Sequence, residues 1–261
     1  MLAGGSIDGA LAAIGDFADL VSPCFLGHSA GVAVLAMNAA RRCNFNTADT
    51  TTIRRAALIH DIGRVAVPAR IWQQRGPLTP DDWEKVRLHP YQTERILHRS
   101  AFMAALGGLA GTHHERCDGS GYHRGTAAPG LTQRARLLAA ADAYQTKIEP
   151  RPHREPLTPA QAAEALTGEV RGGRLDAFAV GAVLEAAGQR TPRIERPAGL
   201  TQRETEVIGL LARGLQTKQI ARVLGISVKT ADNHIQNVYG KIGVSTRAAA
   251  ALFAMQHGLV P

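Results

Sequence analysis

Apolar residues recur along this chain at the three-to-four-residue spacing of amphipathic helices, and no segment alternates as a half-buried strand does. Ile7 to Leu20 reads as a first helix, with Leu11, Ile14, Ala18 and Val21 on one stripe and Pro23 ending it. Ser29 to Ala40 is a second, with His28 at its start and Arg41-Arg42 suited to its negative C-terminal end. After a turn at Asn44 to Thr47, Thr51 to Ile59 forms a third, carrying His60-Asp61 at its end and Gly63 as its C-cap. Pro68 and Gly76-Pro77 bracket a loop with a short element at Ile71-Trp72. Thr79 then supplies an N-cap, Pro80 fits the first turn, and Asp81 and Asp82 complement the helix dipole. That helix runs toward His89-Pro90, and another passes through Ile96 and Leu97. Met103 to Gly111 leads into His113-His114, Leu131 to Tyr144 carries Asp142, and helices at Thr158 to Val170 and Leu175 to Ala187 follow. The pattern predicts an all-α protein without an internal repeat.

The periodicity breaks at Gln189 to Gly199, where Pro192, Pro197, Gly199 and three arginines make a linker. This residue 189–199 stretch divides a larger domain, 1–188, from a small one, 200–261. A chain of 261 residues suits two domains, and an apolar fraction of 45% supports a sizeable core. The formal charge of +8 points to an anionic partner. About half of that excess lies in residues 200–261, where seven Lys and Arg face only Glu204, Glu206 and Asp232. Cys24, Cys43 and Cys117 are irregularly spaced and make no disulfide framework, which fits a reducing cytoplasm. No apolar run reaches the ~20 residues that span a bilayer, the longest candidate being Ala101 to Ala110, so no membrane partner is expected. Asp8 and Asp16 interrupt the N-terminal apolar residues, which argues against a signal peptide.

The chemistry is carried by repeated histidine and aspartate in otherwise apolar helices. Adjacent His113 and His114 bring four ring nitrogens that need partners, and unpaired buried polar atoms are costly. Neutral imidazole is the commonest metal ligand, and the Asp118-Gly119-Ser120-Gly121 turn just beyond places the pair at a loop mouth. His28, His60, Asp61, His89 and Asp142 lie in the same segment. Five imidazoles and two carboxylates form a nitrogen and oxygen set that suits iron, manganese or zinc rather than calcium. Seven ligands exceed what one tetrahedral ion needs, so two transition-metal ions are expected. Two such ions lower the pKa of a shared water and clamp a phosphodiester for in-line attack.

These pieces together resemble the HD-GYP phosphohydrolases: Gly27-His28-Ser29, His60-Asp61-Ile62-Gly63-Arg64, Leu88-His89-Pro90, His113 to Tyr122, and Ala140-Ala141-Asp142, over most of residues 10–185. The resemblance implies an HD-domain helical bundle holding iron or manganese and cleaving cyclic di-GMP or a related cyclic dinucleotide. It implies that His28, His60, Asp61 and Asp142 hold one ion and His89, His113 and His114 the other, with Asp61 bridging. Asp61 and Arg64 are then the candidate catalytic residues. Arg64, one helical turn past His60, would meet the phosphate where the family usually has lysine. Arg151 and Arg154 are candidates for a second phosphate or a guanine. Three departures stand out. His123 replaces the proline of the family's Gly-Tyr-Pro. Gln145 stands where many members have aspartate, so a contact to substrate or to a ligand is lost. Cys24 stands where three-metal members have glutamate, and its expected state is a buried thiol.

In the small domain Thr201 and Glu204 form a capping box, Val207, Leu210 and Leu211 a core stripe, and Gly225 a turn between two short helices. Ser227 caps the second of these, which offers Lys229, Thr230, Asp232, Asn233, Gln236 and Asn237 to solvent, with Lys218 on the first. Asn and Gln can read base edges and Lys can bind phosphate. Residues Leu200 to Val244 resemble the LuxR-type helix-turn-helix, which implies a four-helix fold, double-stranded DNA as partner, and a homodimer formed through the last helix, Thr246 to Gln256. The whole reads as a transcription regulator whose first domain binds and hydrolyses a cyclic dinucleotide. A non-catalytic nucleotide sensor, and a phosphohydrolase for another substrate tethered to DNA, are the alternatives.

Overall fold

The computed structural model describes residues 4–189, 197–257 and 259, and divides into two compact units with the boundary between residues 192 and 193. Most of the predicted linker, residues 190–196, lies outside the described residues. Among the described residues every regular element is helical, and the one extended pairing is an isolated bridge between Arg151 and Arg154.

The first unit runs α1 (Gly4–Asp19), α2 (His28–Arg42), α3 (Thr47–Leu58), α4 (Ala69–Trp72), α5 (Pro80–Arg87), α6 (His89–Leu97), α7 (Ala101–Ala110), α8 (Gln133–Ile148), α9 (Pro159–Arg171) and α10 (Ala177–Ala186). Helix α2 is its centre and packs on α1, α3, α8 and α10. Its buried stripe includes Val32, Ala36 and Ala39, which share one close-packed core with Ile53, Leu138 and Val183 of the neighbouring helices. Fully burying a side chain such as Leu137, Leu138 or Leu184 contributes about 1.5–3 kcal/mol, which makes this cluster the main source of stability. Pro23–Arg42 is long and apolar enough to cross a membrane, contrary to the sequence expectation, but half of its most apolar window is buried inside this bundle. It therefore passes that test as a core helix does.

Caps set several boundaries. Asn46 accepts from the Asp49 amide at 2.8 Å, so α3 starts at Thr47, a turn earlier than its apolar stripe suggests. Thr79 caps α5 as expected, and Thr158 with Gln161 closes a capping box on α9. Gly63 is not the C-cap of α3. Ile59 has that place, and Gly63 lies in a 3-10 turn, Ile62–Ala66, pressed against α6. A Cβ there would stand 2.0 Å from the His89 carbonyl oxygen and 2.5 Å from the Thr93 nitrogen, so close approach of two backbones requires the glycine.

The second unit is a small bundle of α11 (Gln202–Ala212), α12 (Thr217–Leu224), α13 (Val228–Ile242) and α14 (Arg247–Gln256) around Val207, Ile208, Leu211, Ile220, Ile235 and Val238. The Thr201 and Glu204 capping box forms. Buried Glu204 also receives Lys241 at 2.6 Å, tying the start of α11 to the end of α13. Gly225 turns between α12 and α13 with φ of 64°, a left-handed conformation that glycine adopts without a Cβ clash.

Candidate metal centre and nucleic-acid interface

All seven predicted ligands converge in unit 1. One group comprises His28, His60, Asp61 and Asp142, all buried; the other comprises His89, His113 and His114. Within each group the ligand atoms lie within 4.8 Å of one another. Asp61 sits between them. Its Oδ2 lies 3.3 Å from His28 Nε2 and 3.0 Å from His60 Nε2, and its Oδ1 lies 3.2 Å from His89 Nε2 and 3.3 Å from His113 Nε2. Asp142 also spans the gap, with Oδ1 3.3 Å from His28 Nε2 and Oδ2 3.7 Å from His114 Nδ1.

Helix ends explain how the chain aims these rings. The Nδ1 atoms of His60, His89 and His113 lie 2.7, 2.6 and 2.7 Å from the carbonyl oxygens of Ala57, Val86 and Ala110. Each carbonyl belongs to the last turn of α3, α5 or α7, where the regular helical amide partner four residues on is missing. A carbonyl only accepts, so each Nδ1 carries a proton and Nε2 is the nitrogen turned toward the cluster. Three histidines thus satisfy three helix ends and hold their rings in place as candidate ligands. The same ends direct partial negative charge toward the site, which favours cations.

The charge state follows from the crowding. Burial alone would raise the carboxyls of Asp61 and Asp142, but Arg64 and His60 beside Asp61, and His28 and His60 beside Asp142, hold both well below the usual carboxylate range. Burial and Arg64 would lower His28, yet bonds to Asp142, Asp61 and Glu149 lift it to about 10. Burial likewise works against the charged form of His60, which Asp61 and Asp142 lift to about 9. Burial takes His113 down to about 4 and His114 well below its ordinary value, so this pair is neutral and ready to ligate. His60 Nε2 and both Asp61 oxygens are buried without an aligned hydrogen-bond partner. Orphaned inward donors of this kind, on a nitrogen and oxygen set, fit transition-metal ions.

Around the cluster lie the remaining candidates named from the sequence, together with Phe25, Trp72, Glu115 and Glu149, whose places sequence reasoning missed. Arg64 is buried, with Nη2 2.5 Å from Asp61 Oδ2 and its guanidinium carbon 4.0 Å from the Phe25 ring centre and 5.7 Å from that of Trp72. Arg151 lies over the same Phe25 ring at 4.9 Å and donates to the Cys24 carbonyl at 2.9 Å. Arg154 is not brought to the cluster: its guanidinium donates to the carbonyls of Thr146, Lys147 and Glu149, closing the end of α8. Glu149 accepts from His28 Nδ1 at 2.8 Å and from Gln145 at 2.7 Å, so Gln145 keeps a contact to a ligand's support rather than losing one. The signal for this was present: Asp142, Gln145 and Glu149 share one face of α8. Tyr122 stacks on His114 with ring centres 4.6 Å apart. Buried Glu115 receives the amides of Arg124 and Thr126 at 2.9 and 2.7 Å and so fixes the loop that follows the histidine pair. His123 sits 3.8 Å from Glu94, on the side of that loop. Cys24 is half-buried rather than buried and belongs to neither ligand group.

In unit 2, Lys229, Asp232, Asn233 and Gln236 fall at helical spacing on one exposed face of α13, opposite buried Ala231, Ile235 and Val238. Lys218 is exposed on α12. Thr230 is exposed too, with its hydroxyl 2.8 Å from that of the N-cap Ser227.

Residues 13–178 match the family model of the HD domain, and residues 198–254 that of the luxR family of bacterial regulatory proteins. A 3'3'-cGAMP-specific phosphodiesterase of Vibrio cholerae is 37% identical over 142 residues, 54% of this chain and 31% of that protein. A cyclic di-GMP phosphodiesterase of Thermotoga maritima is 36% identical over 49% of this chain and 36% of its own length. A cyclic di-GMP phosphodiesterase response regulator of Xanthomonas campestris is 32% identical over 58% of this chain and 40% of its own length. The chain thus spans 31–40% of the length of these relatives. An HDGYP protein from Bdellovibrio bacteriovorus superposes with a TM-score of 0.55 at 18% identity, covering 70% of this chain and 64% of that one, a likeness of fold. The HD match takes in every residue of the cluster, from His28 to Asp142, and this chain belongs to the HD domain family, with a luxR-type domain at its C-terminal end.

Proposed function

We propose that unit 1 holds two transition-metal ions and hydrolyses a cyclic dinucleotide such as cyclic di-GMP or cGAMP, and that unit 2 binds double-stranded DNA. The chain then acts as a cytoplasmic transcription regulator. The single observation that carries the metal reading is the placement of Asp61, with one carboxylate oxygen on each ligand group and neither aligned in a hydrogen bond. His28, His60, Asp61 and Asp142 would hold one ion and His89, His113 and His114 the other, with Asp61 shared; iron or manganese suits the donors. Such a pair supplies an activated water and a clamp on the phosphodiester. Arg64, held beside Phe25 and Trp72, is the phosphate-facing cation, and Arg151 over the same Phe25 ring is its partner. Arg154 acts as a support for that loop. Elemental analysis of the purified full chain should find two transition-metal ions per chain. No bound metal would reject the reading, and three would reject this ligand count.

For DNA, the exposed α13 face supports base reading by Asn233 and Gln236, with Lys218, Lys229 and Thr230 toward phosphates and Asp232 tuning base choice. Leu252 and Met255 are exposed at 56% and 60% on α14, which supports pairing of two chains through that helix. Affinity for duplex fragments should fall steeply with salt. Lys229→Ala should weaken binding to all sequences and reduce the salt slope by about 1, whereas Gln236→Ala should relax base preference by about 1–3 kcal/mol at one position. Salt-insensitive binding, measured by fluorescence anisotropy, would contradict this.

A further inference from the structure

His28 differs from the other aimed histidines. His60, His89 and His113 are each held by a main-chain carbonyl three residues back, a support no substitution can remove. His28 opens α2, and its Nδ1 is held instead by a side chain from another helix, Glu149 Oε2, at 2.8 Å. Both oxygens of that carboxylate are engaged: Gln145 Nε2 donates to Oε1 at 2.7 Å and Arg151 Nη2 to Oε2 at 3.1 Å. With its side chain only 15% exposed, the group is well fixed. Its position in the helix is itself a clue. Glu149 is the C-cap of α8, where the helix dipole disfavours an anion. A residue that breaks a local rule points to a gain elsewhere, and here the gain is the imidazole.

We infer that Glu149 is a positioning residue for the first metal position: it anchors His28 through Nδ1, turns Nε2 toward Asp61 and Asp142, and sets metal affinity there without touching the ion. Helix α8 then serves that position twice, through Asp142 as ligand and through Glu149 two turns later as support. The inference rests on the two-ion reading above. It makes a directional statement, because the hydrogen-bond partners of the Glu149 carboxylate among the described residues, His28, Gln145 and Arg151, include no member of the second group, His89, His113 and His114.

The test is titration of the metal-free full chain with Mn2+ by calorimetry, and with Co2+ followed by its visible absorption, for the wild type, Glu149→Gln and Glu149→Ala. The wild type should bind two ions. Both variants should bind one of them about 10- to 100-fold more weakly and the other unchanged, the range typical of removing a partner that orients a ligand. The Co2+ spectrum should change only in the component assigned to the weakened position. Unchanged affinity for both ions, or equal weakening of both, would overturn the inference. So would a lower melting temperature of the metal-free variants with wild-type affinities, since Glu149 would then be structural only. A wild type that binds neither Mn2+ nor Co2+ rejects the two-ion reading itself, and the inference with it.

Discussion

Asp61→Ala should empty both metal positions, taking bound metal from two ions per chain to none after gel filtration. Its carboxylate is the only group with an oxygen within 3.3 Å of imidazoles from both ligand groups among the described residues. Loss of a partner that merely orients a ligand costs about 10- to 100-fold in affinity, so loss of a shared ligand should exceed that at each position. The substitution also leaves Arg64 without the carboxylate that faces it in a buried setting, and breaking such a pair costs roughly 3–5 kcal/mol. Asp61→Asn separates the two effects, since it keeps the shape and removes the charge. His60→Ala should empty the first position and spare the second, because His60 belongs to one group alone. Elemental analysis reads all three variants. An Asp61→Ala protein that keeps one ion at wild-type affinity would show that Asp61 is not shared.

Gly63→Ala should be strongly disruptive for a single added methyl. The new carbon would stand 2.0 Å from the His89 oxygen, 2.5 Å from the Thr93 nitrogen and 2.8 Å from the Thr93 hydroxyl. Two of these are backbone atoms and cannot swing aside. Thr93 also accepts from the Gly63 amide at 3.0 Å and donates to the His60 carbonyl at 2.8 Å. The 3-10 turn and α6 are therefore locked together at the point where His60 and His89 leave them. Overpacking costs ~1–3 kcal/mol, and this site belongs at the upper end, a fall of roughly 6–12 °C in melting temperature for a unit of this size. Gly108→Ala is the control. It lies exposed in α7 with nothing within 4 Å of the added carbon, so it should stabilise by about 0.5–1 kcal/mol. Calorimetry of the two variants decides. A Gly63→Ala protein melting with the wild type would mean that the turn and α6 are not in this register.

Residue types and spacing carried much of this in advance. The all-helical fold, the capping boxes and the seven residues that converge in one cluster were legible because each rests on a short-range rule: a 3.6-residue period, an N-cap, a histidine in an apolar helix. The division into two units was legible as a break in that period. What was not legible depends on neighbours distant in sequence. Gly63 resembled a C-cap because glycine after a helix often is one, whereas its reason is the arrival of α6 some thirty residues later. Arg154 resembled a phosphate ligand because charge alone does not reveal that carbonyls of the last turn of α8 and of its C-cap would claim it. Glu149 was overlooked because its partner, His28, is 121 residues away. Phe25 and Trp72 looked like ordinary apolar residues until the fold packed them edge to face beside Arg64.

The central claim, a two-metal phosphodiesterase joined to a DNA-binding domain, is tested most directly by turnover of the metal-loaded full chain on a panel of cyclic dinucleotides. Products would be separated by ion-exchange chromatography. The expected result is cleavage of cyclic di-GMP, cGAMP or both to linear or mononucleotide products, abolished by Asp61→Ala and by chelator. Binding of these nucleotides without any product, by protein shown to carry two ions, would contradict hydrolysis and leave a sensor in its place.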